Sequence, residues 1–158
     1  MKNIQIGLNP YLADNKNLIE NFAIVGYNEK IFSEFTFSSP DEEGNLELSI
    51  ISEVKSDSID NLNYDYIIKQ IYPDKPRIIL ISNSISKPNT SSIVFYNCFD
   101  SIDGKKKITH SFYALKFYEK FIDNISKKEY YIPKAFLIIS QYPYFTLYYN
   151  ICSFLLNY

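Results

Sequence analysis

This chain has little glycine, no tryptophan and almost no arginine: 4 glycines and the single arginine Arg77 in 158 residues. So few glycines leave no glycine-rich phosphate loop and no Gly-x-Ser-x-Gly nucleophile elbow. There is one histidine, His110, and there are two cysteines, Cys98 and Cys152, far apart and without metal-type spacing. A cationic surplus is also missing. With 16 Lys and Arg against 18 Asp and Glu the net charge is −2, which argues against phosphate neutralisation and hence against nucleic acid as a partner. No apolar run approaches the roughly 18 residues of a membrane-spanning helix. The N-terminus, Met1 to Lys16, has no long apolar stretch leading to a small-residue cleavage site, so it does not read as a signal peptide. Both thiols are therefore expected to be free and buried, in a reducing, cytoplasmic setting.

What is abundant is aromatic and aliphatic. There are 15 tyrosines and 12 phenylalanines, and 46% of the residues are apolar against 22% charged, a globular balance. A chain of this length is expected to form one domain and to bury roughly 68–70% of the surface its unfolded form exposes, without disulfides or metal.

Residues 1–18 are polar, contain Pro10 and read as an N-terminal arm. Asn21 to Gly26 is a short apolar run that suits a buried strand. Phe32, Phe35 and Phe37 predict a second strand ended by Pro40, and Leu46, Leu48 and Ile50 a possible edge strand, with a loop from Lys55. Leu62, Tyr66, Ile67 and Ile71 share a helical face, with Asp60 or Asn61 as cap. Arg77 to Ser82 reads as a continuous buried strand. A hairpin follows: Ser92 to Phe99, a turn Asp100 to Gly104, and Lys107 to Tyr118. In the returning strand Ile108, His110, Phe112, Ala114, Lys116 and Tyr118 take one face, and Thr109, Ser111, Tyr113, Leu115 and Phe117 the other. Lys134 to Ser140 is another buried strand. Pro143 to Tyr158 has helical spacing, with Pro143 in its first turn. The expected core holds Ile24, Ile79, Ile81, Phe95, Phe112, Phe117, Phe136 and Ile138. The fold class is α+β, with a central, mainly antiparallel sheet of five strands.

Catalytic chemistry is hard to find in this pattern. Asp41-Glu42-Glu43-Gly44 reads as a solvated acidic turn rather than a cation site, because metal sites need more convergent ligands. Lys105 to Lys107 falls short of the 4–8 basic residues of a lipid-binding cluster. Cys98 and His110 lie on paired strands and are within reach of each other, but nothing around them stabilises a thiolate. His110 reads best as a partly buried, hydrogen-bonded strand histidine. No catalytic, cofactor-binding or metal-binding residue is assigned.

Three stretches together resemble the upstream DENN (uDENN) segment of DENN-domain proteins. They are Phe22-Ala-Ile-Val-Gly-Tyr27, the strand His110-Ser-Phe-Tyr-Ala-Leu-Lys-Phe-Tyr-Glu119 with its preceding Asp-Gly turn, and Tyr131-Ile-Pro-Lys-Ala-Phe-Leu-Ile-Ile-Ser-Gln-Tyr-Pro-Tyr-Phe145. The match spans 19–158, and the polar region 41–62 reads as an insertion. The resemblance implies a longin-like α-β-α sandwich, the N-terminal lobe of a guanine nucleotide exchange factor for Rab-family GTPases in vesicle traffic. Its partners would be the GTPase and the central DENN lobe of the same parent chain, at vesicle or endomembrane surfaces, with peripheral membrane association. The alternative is a longin-type adaptor without exchange activity. The last helix carries more apolar positions than one sheet face can cover, which makes Tyr144, Leu147, Ile151 and Phe154 the candidate lobe or partner interface. Self-association of the isolated lobe through that face is a further expectation.

With too few ligands for a metal and no phosphate loop, calorimetric titration of the chain with Zn²⁺, Mg²⁺ or GTP is expected to give no stoichiometric heat. A micromolar, one-to-one isotherm would overturn this reading.

Overall fold

The apolar run Ala135 to Ile139 alternates between two faces that both need cover, and the fold is organised around it. A computed structural model describes residues 19–28, 47–56, 63–82, 86–103, 106–124 and 126–157; for 95–103 and 106–109 it describes the backbone alone. The elements in chain order are β1 (Asn21–Tyr27), β2 (Leu48–Lys55), α1 (Tyr64–Ile71), β3 (Ile79–Leu80), β4 (Ser91–Asp103), β5 (Lys106–Ile122), β6 (Glu129–Ser140) and α2 (Phe145–Leu156). The fold is mixed, with an open sheet of six strands in the order β2-β1-β6-β5-β4 and the short β3 beside β6. Every pairing is antiparallel.

Strand parity sorts the core into two layers. Ala23, Val25, Phe112, Ala114, Ala135, Leu137 and Ile139 face α1, which contributes Ile67 and Ile71. Phe22, Tyr113, Leu115, Phe117, Phe136 and Ile138 face α2, which contributes Tyr148 and Cys152. One helix therefore covers each face of the sheet. The two-faced pattern read for the returning strand holds: Phe112 and Ala114 lie on the α1 side, Tyr113, Leu115 and Phe117 on the α2 side. Aromatic contacts fill the second layer, with Phe117 and Phe136 centroids 4.7 Å apart and Phe22 and Phe136 5.8 Å apart. Gly26 is squeezed in β1: an added Cβ would lie 3.2 Å from Ile51 Cδ1 and 3.3 Å from Lys134 Cγ, so a larger side chain there must push one of them aside.

Several boundaries differ from the sequence expectations. The sheet has six strands rather than five. Within 41–62, β2 runs on to Lys55, past the expected Ile50, and pairs along the whole of β1. Ile51 is the extra residue of a bulge, opposite the step from Ile24 to Val25. The buried strand expected over 77–82 is only the two-residue β3. β1 occupies that edge of β6 along 134–139, and β3 pairs beyond it with Tyr130 and Tyr131, the Ile81 N–H donating to the Glu129 carbonyl at 2.9 Å. Ile79 and Ile81 are accordingly half-buried, and Leu80 is exposed. Ile24 is also only half-buried, although it packs on the α2-side layer.

β6 begins at Glu129 rather than Lys134 and passes through Pro133. Pro133 falls opposite the gap between the β3 and β1 pairings, where a missing N–H is tolerated. The hairpin strands run on to Asp103 and from Lys106, so the expected five-residue turn is shorter. α1 starts at Tyr64 because Asn63 caps it: the Tyr66 N–H donates to Asn63 Oδ1 at 3.1 Å. That phase turns Tyr66 outward, not inward as its spacing implied. Pro143 lies before the cap of α2 and not in its first turn. The strand expected at 32–38, the acidic turn 41–44 and the helix positions 60–62 lie outside the described residues, as does the Phe95 side chain.

Leu137 is fully buried at the centre of the sheet. Leu137→Ala is expected to cost about 2–5 kcal/mol in urea unfolding, whereas Val54→Thr on the exposed edge should stay within about 0.5 kcal/mol. Equal losses from the two would contradict this layering.

Candidate functional site

His110 sits on β5 at the end of the sheet where β1 begins. It is 2% exposed, and its Nε2 meets Oε2 of Glu20, also 2% exposed. The other carboxylate oxygen of Glu20 accepts from Gln141 Nε2 at 2.6 Å. The histidine is thus fully buried rather than partly so, and hydrogen-bonded as its strand position implied. Glu20 and Gln141 escaped sequence reasoning: they stand 90 residues from His110 and 121 residues from Glu20 respectively, and no local pattern links them. A carboxylate this deep is tolerable only because its oxygens are engaged. Beside it Ser111 Oγ donates to the Ser140 carbonyl at 3.3 Å. Together these bonds tie the residue before β1 to β5 and to the turn after β6.

A second polar knot lies on the α1 side. The Tyr64 hydroxyl donates to Glu53 on β2, and Asn21 Nδ2 donates to the Tyr64 oxygen at 2.8 Å and to Glu53 Oε2 at 3.1 Å. Asn21 Oδ1 is buried without a partner, the kind of acceptor a buried water satisfies. Burial, followed by the Glu53 contact, raises the Tyr64 hydroxyl pKa.

Cys152 on α2 is a free, fully buried thiol, and desolvation pushes it from 9.0 up to about 12. It is consequently a neutral thiol at physiological pH and a poor nucleophile. The backbone of Cys98 falls in the irregular stretch of β4 between Phe95 and Phe99, opposite Phe112 to His110; its side chain lies outside the described residues. No group of three or more His, Cys, Asp or Glu poised to hold a metal occurs among the described residues.

The candidate interface residues all lie on or beside α2, but they are not equivalent. Tyr144 is 44%, Leu147 39% and Phe154 63% exposed, while Ile151 turns partly inward onto the sheet. Between these residues the helix also exposes the polar Thr146 and Asn150. So α2 is not apolar all round: its exposed apolar atoms form a flank, extended across the helix by Tyr149. No charged residue occurs between Pro143 and Asn157. An uncharged flank bearing aromatic rings has the composition of a protein-contact patch.

A cavity of about 450 Å³ lies between the start of β2 and α1. Its lining mixes Glu47 and Asp65 with Lys69 and Lys75 around Leu48, Ile68 and Tyr72. Among the described lining residues the only hydroxyl is the Tyr72 phenol, which donates to the Lys134 carbonyl at 3.0 Å. No helix among the described residues is long and apolar enough to cross a membrane. Comparison with protein-family models, with curated proteins and with solved structures returns no match for this chain.

The buried acids set the alkaline limit of the fold. An unfolded chain releases the Cys152 proton near 9.0, whereas the folded one holds it to about 12. That stabilisation is whole below pH 9 and is lost as pH rises towards 12. Burial raises Tyr72, Tyr113 and Tyr148 above 10.0 as well, which acts in the same direction. Urea midpoints should therefore fall steeply above pH 9, with Cys152 unreactive towards a disulfide reagent at pH 8 until the chain unfolds. Fast labelling of the native protein at Cys152 would contradict its burial.

Proposed function

We propose that this chain is a protein-interaction module, the longin-like first lobe of a DENN-type exchange factor that engages a Rab-family GTPase in vesicle traffic. The observation that carries the proposal is the uncharged, aromatic flank of α2, with Tyr144, Leu147 and Phe154 exposed above a well-packed sheet. Two features support the finer reading. One helix on each face of a five-strand antiparallel path agrees with an α-β-α sandwich. The stretch Tyr131 to Phe145, which carries the most specific part of the resemblance, forms the central strand and the turn that delivers α2. Exchange of this kind needs no acid–base group. It works by preferential binding of one conformation of the GTPase, which suits a chain whose buried histidine and thiol are both enclosed.

The test is retention of nucleotide-free Rab-family GTPases on the immobilised full chain, with Leu147→Lys as control. Retention of at least one GTPase is expected, weakened about tenfold or more by Leu147→Lys, since a lysine in a desolvated contact costs more than ~1.4 kcal/mol. Accelerated GDP release in the same samples identifies the exchange lobe, and retention without acceleration identifies the adaptor. If no GTPase is retained, the GTPase reading falls.

A further inference from the structure

α2 begins without the devices that usually start a helix. Its cap position is Tyr144, whose side chain makes no capping bond, and neither terminal turn carries a complementary charge. Tertiary bonds hold its start instead. The Tyr142 N–H donates to Ser140 Oγ at 3.0 Å, and the Tyr148 hydroxyl reaches back to the Tyr142 carbonyl at 2.7 Å. The third bond, Gln141 Nε2 to Glu20 Oε1 at 2.6 Å, leaves this segment altogether.

Glu20 is itself tied on several sides. Its N–H donates to the Ile139 carbonyl at 2.9 Å, and its carbonyl accepts from the Ser56 N–H at 2.8 Å. Its second carboxylate oxygen meets His110. One residue thus joins the ends of β2 and β6, the strand β5, and the turn before α2. Its neighbour Ile19 packs into the layer that Phe145 and Ile151 also cover.

We infer that Glu20 is a latch that sets the position of α2, and with it the exposed flank; the functional consequence rests on the reading proposed above. A carboxylate 2% exposed cannot shed its partners without a large desolvation cost. Moving the chain at Glu20 and freeing the Gln141 turn are therefore one event, which transmits a displacement at the start of β1 to the helix some 120 residues later. Glu20 acts as a positioning residue and touches no partner itself.

Hydrogen exchange on the full chain tests this with two variants. Gln141→Ala cuts the link to the turn and leaves the Glu20–His110 pair in place. It is expected to raise exchange at the amides of Tyr148 to Ile151 by about tenfold, the loss expected for one hydrogen bond to a charged group. Residues 112–117 and 134–138 should keep wild-type rates. Glu20→Gln should raise exchange at the same helical amides and also at Ser56 and Asn21. Unchanged exchange over Tyr148 to Ile151 in both variants overturns the latch. So does a uniform rise over all strands, which would mean a general loss of stability. Exchange is read without any partner, so a chain that passes this test but retains no GTPase loses only the functional reading.

Discussion

The fold depends on one constraint: β6 is paired along both edges and buried on both faces. Ala135 to Ile139 presents no polar side chain to either side, so apolar surface must arrive from two directions. β1 and β5 supply the edges. α1 and α2 supply the faces, each bringing two fully buried side chains to the layer it covers. Burying such side chains is worth on the order of 1.5–3 kcal/mol each, so a strand flanked in this way anchors the domain. β3 adds a short pairing with the same edge at Tyr130 and Tyr131, beyond the reach of β1.

Polar groups are concentrated where the apolar layers run out. At the end of the sheet Glu20, His110, Gln141, Ser111 and Ser140 form one cluster, and Asn21, Glu53 and Tyr64 form another on the α1 side. The buried bonds among them, His110 to Glu20 and Ser111 to the Ser140 carbonyl, add modest net energy but are costly to break singly, because each leaves a desolvated partner behind. They fix which strand end meets which turn, something that apolar packing alone leaves loose. A histidine held this way ties β5 to the residue that precedes β1.

α2 joins these two themes. Its inner face is fixed by Tyr148 and Cys152 in the core, and its start by bonds from the preceding turn and from Glu20. Its outer flank keeps large apolar groups in solvent without any charge to solvate them. Keeping such side chains exposed is a cost that a partner surface removes.

The faces of β5 and the buried centre of β6 were legible in the sequence alone. The alternation over 110–118 and the unbroken run over 135–139 are local, period-two signals, and burial is a direct consequence of side-chain direction in a pleated strand. The C-terminal helix was legible from apolar spacing of three and four residues, as were the burial of Cys152 and the excess of apolar positions at Tyr144, Leu147 and Phe154. Tertiary structure alone decided the rest. Ile79 and Ile81 look like core residues in isolation, but their strand docks at the end of β6 that β1 does not reach, and both are only half-buried. Ile151 turns inward and Tyr66 outward because helix phase is set by capping and docking, not by composition. Glu20 and Gln141 carry no pattern at all, since a hydrogen bond across 121 residues exists only once the sheet has brought its ends together.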